Sequence, residues 1–144
     1  MKRSLAPSLA AALAATAPAL APAQLTEAQT FPALGAPDDP TVPIAWNRFH
    51  DVDGLNELLR QLHDAHPDFC ELVEVGESAM GRKIMALEIT NEATGPALSK
   101  PAMYIDGNIH GNEAQCAETV VYTAWYLLEM KDRADRIGDL LDHR

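Results

Sequence analysis

The chain has 144 residues and carries 21 acidic against 11 basic side chains, a formal charge of -10. That length suits one small domain, and the charge argues against nucleic acid or an anionic membrane surface as a partner, since both are held by Lys and Arg on phosphate. Two cysteines, Cys70 and Cys116, permit one disulfide in an oxidising compartment without implying it.

Lys2 and Arg3 precede an acid-free, Ala/Leu-dominated run from Ser4 to Ala21, and Ala21-Pro22-Ala23 supplies small residues of the kind a signal peptidase cleaves after. Residues 1-23 are therefore expected to be a secretory signal peptide and the protein to be exported, periplasmic or secreted. A disordered Ala/Pro-rich leader is the plainer alternative. Cleavage removes Lys2 and Arg3 and no acid, so the charge moves from -10 to -12. No segment reaches the roughly twenty uninterrupted apolar residues of a membrane span, so none is expected.

Residues 24-46 carry Pro32, Pro37, Pro40 and Pro43 with little periodicity, and read as a Pro-rich linker or extended arm. The domain proper is expected over residues 47-144. Asp53 is a plausible N-cap for a helix in which Leu55, Leu58, Leu59 and Leu62 form one buried stripe, and Pro67 stops it. Phe69 to Val75 and Ile84 to Ile89 read as strands joined by a loop containing Gly76 and Gly81. After a polar, Pro-bounded connection, Ala102 to Ile109 reads as a third strand. A helix is expected from about Glu113 to Lys131, with Ala117, Val120, Val121, Ala124, Leu127 and Leu128 on a broad buried face. Ile137, Leu140 and Leu141 suggest a last short helix. The element order indicates an α/β layered domain.

In that order His110 and Glu113 stand where a strand ends and a helix begins, the place where open α/β sheets bind ligands. A turn built from Gly and Asn needs neither of them. An imidazole nitrogen and a carboxylate oxygen are both good zinc ligands, and two on one tight corner can grip one face of an ion. An ion so held turns a bound water into a nucleophile near neutral pH. The spacing is weak by itself: with 10 glutamates in the chain, chance supplies roughly 0.3 His-x-x-Glu pairs. Its position lifts it, together with Gly107 and Gly111, which would let a backbone pass close to a ligand. Metal ligation and an incidental polar turn both remain open on these grounds.

The stretch GESAMGRKIMALEIT, followed by KPAMYIDGNIHGNE and a long helix, resembles the N-terminal part of the zinc carboxypeptidase family of secreted metallopeptidases. The likeness covers roughly Val52 to Arg144 and takes in the leading helix, the Gly81-Arg82 hairpin edge, the strand into His110 and the His-x-x-Glu pair. It implies an α/β fold, the N-terminal part of a mixed-sheet domain with flanking helices, built around one catalytic Zn2+. It also implies a peptide substrate and hydrolysis of its C-terminal peptide bond by a zinc-bound water. His110 and Glu113 match the family's first two zinc ligands. Asn112 stands where many digestive members have a substrate-contacting arginine.

The family's second zinc histidine, carboxylate-gripping arginine, tyrosine and general-base glutamate all lie well downstream, and nothing after Glu113 replaces them. The sequence is therefore expected to be the first part of a longer domain, with no catalytic residue of its own. A related deacylase branch of zinc amidohydrolases also uses a His-Gly-Asn-Glu corner, so cleavage of an acyl group from an amino acid is the alternative enzyme. A non-catalytic peptide-binding remnant is the alternative outside enzymes.

The remaining candidates have plainer readings. His143, the only later histidine, follows a short amphipathic helix as a solvated residue would. His63 and His66 sit in a last helical turn, where the dipole favours them. Asp51, Asp53 and Gly54 resemble the start of a calcium loop that lacks its closing Glu, which leaves helix capping. Trp125 and Tyr126 read as core or interface.

Overall fold

A computed structural model describes residues 35–144; the expected signal peptide lies outside them. Helix α1 spans Val52–Ala65, strands β1 Cys70–Glu77 and β2 Lys83–Ile89 form an antiparallel hairpin, and helices α2 Ala114–Met130 and α3 Asp135–His143 close the chain. Two short 3-10 turns, Glu92–Thr94 and Ala97–Ser99, occupy the polar connection. The fold is mixed α/β, with three helices and a two-stranded sheet among the described residues.

Helix α1 forms where the leucine stripe predicts, but its cap is Asp51 rather than Asp53. The Asp51 side chain accepts from Gly54 N at 2.8 Å, satisfying a first-turn amide that would otherwise lack a partner. Asp53 is inside the first turn, where its charge still suits the helix dipole. The helix ends at His66, whose amide reaches the carbonyls of Leu62 and His63, just before Pro67 forbids another turn.

The β1–β2 ladder runs in register from Cys70 opposite Ile89 to Glu77 opposite Lys83, with an irregularity between Glu74 and Gly76. The hairpin closes through Ser78: its amide donates to Arg82 O at 2.8 Å, and its hydroxyl accepts from Arg82 N at 3.1 Å. Gly81 takes φ +73 in this loop, a conformation that glycine adopts without a Cβ penalty.

The core gathers Leu58 and Leu62 of α1, Cys70 of β1, Val121, Trp125 and Leu128 of α2, and Val42 and Ile44 of the Pro-rich arm. The arm's described part is thus packed chain. Its backbone amides at Thr41 and Val42 donate to the two carboxylate oxygens of Glu129 at 2.7 and 2.8 Å, and Trp125 Nε1 donates to Val42 O at 2.7 Å. Nearer the domain, His50 lies against α2, its Nδ1 3.1 Å from Glu118 Oε2. Cys70 and Cys116 are both free thiols, and burial pushes the Cys70 thiol up to about 11, which keeps it protonated and unreactive.

The third expected strand does not form. Ala102 to Ile109 lies outside the ladder of the hairpin, and Met103, Tyr104 and Ile109 are at least 80% exposed. Apolar, β-branched sequence favours an extended backbone, but a strand exists only where a neighbouring edge completes its hydrogen bonds. After β2 the chain is drawn the other way: Asn91 N donates to Leu141 O at 2.9 Å, and Lys100 Nζ bonds Thr90 Oγ1, Asn91 O and Thr94 Oγ1. The segment instead meets α2 at Gly107. A Cβ there would stand 2.6 Å from the Cys116 carbonyl oxygen and 3.0 Å from Val120 Cγ2. Gly107→Ala should therefore push the segment off α2 and cost about 1–3 kcal/mol, read as a lowered urea midpoint. An unchanged midpoint would mean that this contact is not maintained in solution.

Candidate metal centre

The corner between the segment ending at Ile109 and α2 is built from its backbone outward. Asn108 has φ +66, the left-handed region that Asn tolerates better than other non-glycine residues, and this turns the chain back toward the helix. Glu113 N then donates to His110 O at 3.0 Å and Cys116 N to Glu113 O at 2.8 Å, which winds the corner into the first turn of α2. Gly107, expected to let the backbone approach a ligand, makes its close approach to the helix instead. Gly111 faces open space, so the reason for a glycine there is not crowding.

This winding brings the His110 and Glu113 side chains together. His110 Nδ1 lies 3.1 Å from Glu113 Oε1, with the two side chains 72% and 43% exposed. Glu113 occupies the N-cap position of α2, yet its carboxylate bonds no helix amide. A capping residue would ordinarily turn its oxygen onto the first-turn N–H groups. Here the carboxylate is turned toward the imidazole. Two ligands bound at about 2.0–2.1 Å to one tetrahedral ion stand about 3.3 Å apart, so the pair is spaced as two donors on one zinc would be. In donor chemistry and in spacing, the residues present fit two places of a zinc site.

No group of three or more His, Cys, Asp or Glu that could hold a metal occurs among the described residues. His143 is exposed at the end of α3, its Nδ1 2.7 Å from Asp139 O. His63 Nδ1 lies 3.0 Å from Cys70 O. His66 is buried, with Nε2 3.5 Å from Glu129 Oε1. Its imidazole is held below the ordinary range by burial first and the Lys131 ammonium second; the Glu129 carboxylate pulls the other way and is outweighed. Asp51 caps α1, and Trp125 and Tyr126 belong to the core and its margin. Asn112 lies between the two candidate ligands in sequence and is exposed.

The model of the zinc carboxypeptidase (peptidase M14) family matches residues 55–144, which contain the hairpin, the corner and α2. The chain belongs to the zinc carboxypeptidase family. Among curated members, it is 30% identical to zinc carboxypeptidase A 1 of Anopheles gambiae over 90 residues, which are 62% of this chain and 20% of the mosquito protein. It is 35% identical to carboxypeptidase B of Astacus astacus over 77 residues, 54% of this chain and 24% of the crayfish protein. It is also 30% identical over 103 residues to the inactive metallocarboxypeptidase ecm14 of Schizosaccharomyces pombe, 69% of this chain and 21% of that protein. The chain thus spans between a fifth and a quarter of these zinc carboxypeptidases.

His110 and Glu113 stand out in the sequence, whereas Asn108 carries no signal there beyond turn composition. Nor does the sequence mark His50 with Glu118 or the arm with Glu129, contacts between residues 68 and 87–88 positions apart that no local spacing encodes.

Proposed function

We propose that this chain is the N-terminal portion of an exported zinc metallocarboxypeptidase, a hydrolase that releases C-terminal residues from peptides. The observation that carries the reading is the His110–Glu113 pair, 3.1 Å apart on a corner whose carboxylate is free of capping duty. In this role His110 and Glu113 hold Zn2+. The ion would supply Lewis acidity and a water made nucleophilic near neutral pH. The family resemblance assigns the remaining zinc histidine, the substrate-gripping arginine and the general base to a part of the domain this stretch does not contain. On the same reading, Ala102 to Ile109 is a strand of a larger mixed sheet flanked by helices, which accounts for its apolar sequence. Among the described residues, no helix is long and apolar enough to cross a membrane. Export rests on the sequence of residues 1-23, with the mature chain starting near Gln24.

Similarity to the inactive S. pombe relative favours a second reading, a non-catalytic peptide-binding protein on the same scaffold. One experiment bears on both. Zinc titration of the 144-residue chain should show weak binding that His110→Ala and Glu113→Ala each abolish, because two donors give an ion neither full affinity nor fixed geometry. Release of C-terminal residues from blocked dipeptides by this chain should be undetectable. Tight zinc that survives both substitutions would place the site elsewhere, and chelator-sensitive turnover would show that the two donors suffice.

A further inference from the structure

We propose that Asn108 is the positioning residue of the His110–Glu113 pair, its side-chain amide fixing the separation of the two donors; this rests on the zinc reading above. Asn108 precedes both and touches neither side chain. With its amide turned so that nitrogen faces acceptors, Nδ2 donates to His110 O at 3.3 Å and to Glu113 O at 3.0 Å.

A primary amide has two N–H donors, and a carbonyl oxygen has two lone pairs. Both donors are used here, one on the backbone of each candidate ligand. Each carbonyl also accepts a backbone amide, His110 O from Glu113 N and Glu113 O from Cys116 N. The four bonds lock the peptide units of His110 and Glu113 to one another, so the two side chains leave a rigid base. The positive φ of Asn108 folds its side chain back over the corner that follows.

Glycine, aspartate and alanine each fail one of the two needs or both. Glycine accepts φ +66 but has no amide, aspartate has the shape but would set carboxylate oxygens against two carbonyls, and alanine satisfies neither. His110 and Glu113 are exposed, so core packing does not hold them. Their geometry depends on the turn itself. Groups that orient ligands in this indirect way are typically worth about 10–100-fold in metal affinity.

The test compares wild type with Asn108→Gly, which keeps the backbone freedom and removes only the amide, and with His110→Ala. By isotope-resolved NMR on the metal-free chain, the Asn108 side-chain amide protons should exchange slowly with solvent. The Glu113 backbone amide should exchange faster in Asn108→Gly than in wild type. In zinc titrations Asn108→Gly should bind about 10-fold more weakly or worse, while His110→Ala should not bind. If wild type binds zinc and Asn108→Gly binds equally well, the positioning role is overturned and the zinc reading stands. If wild type fails to bind, or His110→Ala binds as wild type does, the zinc reading falls and the inference built on it falls with it. Rapidly exchanging Asn108 amide protons in wild type overturn the positioning role without any variant, so a variant that fails to fold does not shelter it.

Discussion

Trp125→Ala should lower the free energy of unfolding by about 3–5 kcal/mol, as urea melts of the two proteins would show. Trp125 is 2% exposed and lies where α1, α2 and the Pro-rich arm meet. Its ring packs against Trp46 and Tyr122, with centroids 5.6 Å away in each case. Truncation therefore removes a large apolar surface, leaves a cavity between elements that cannot all close on it, and forfeits two aromatic contacts. It also strands Val42 O, the acceptor of the indole N–H. Against a total stability of about 5–15 kcal/mol for a domain, that is a large share. Trp125→Phe keeps most of the packing and should lose much less. A loss under about 1 kcal/mol for Trp125→Ala would mean that the arm and helices are not packed together in solution.

Glu129→Ala should also be costly, about 2–4 kcal/mol, for the hydrogen bonds it strands. The carboxylate is buried and accepts the amides of Thr41 and Val42, so its removal leaves the buried Val42 donor and the part-buried Thr41 donor without partners and frees the arm. Glu129→Gln retains one acceptor oxygen and should fall between wild type and alanine. The same locus sets a pH dependence. His66 faces Glu129, Lys131 and Asp132, and burial holds its folded-state affinity for a proton below that of an ordinary imidazole. A base with a depressed folded pKa binds more protons when unfolded, so stability rises with pH across that interval. It is fully present above about 6.5 and declines as pH falls through the folded value. His66→Gln should flatten this slope in urea melts at pH 5 to 8. A slope of opposite sign would mean that Glu129 outweighs burial.

What could be read from the sequence was local. The leucine stripe of α1, the Gly-containing hairpin and the apolar face of α2 all encode periodicities within a few residues, and they form close to where they were expected. The His-x-x-Glu corner was legible for the same reason, since one turn of backbone brings the two side chains to 3.1 Å. The choice between Asp51 and Asp53 as cap was not, because both can supply an oxygen and only the turn geometry decides which meets Gly54 N. The segment from Ala102 to Ile109 has a strand's composition, but composition does not supply a partner. Least legible was the arm. Pro37, Pro40 and Pro43 advertise extended chain, and an extended chain can be loose or, as at Val42 and Ile44, seated in a core by a glutamate near the far end of the sequence.

The protein's two tryptophans, Trp46 at the end of the arm and Trp125 on α2, are edge-on neighbours with centroids 5.6 Å apart; Tyr122 adjoins both, and Tyr126 stacks on Tyr122. Rings that close exchange excitation and couple their transitions, so the chain's entire indole emission and much of its near-ultraviolet dichroism originate at one junction. The molecule carries its own optical gauge of whether the arm is seated, and that gauge is blind to the His110 corner at the other end of α2.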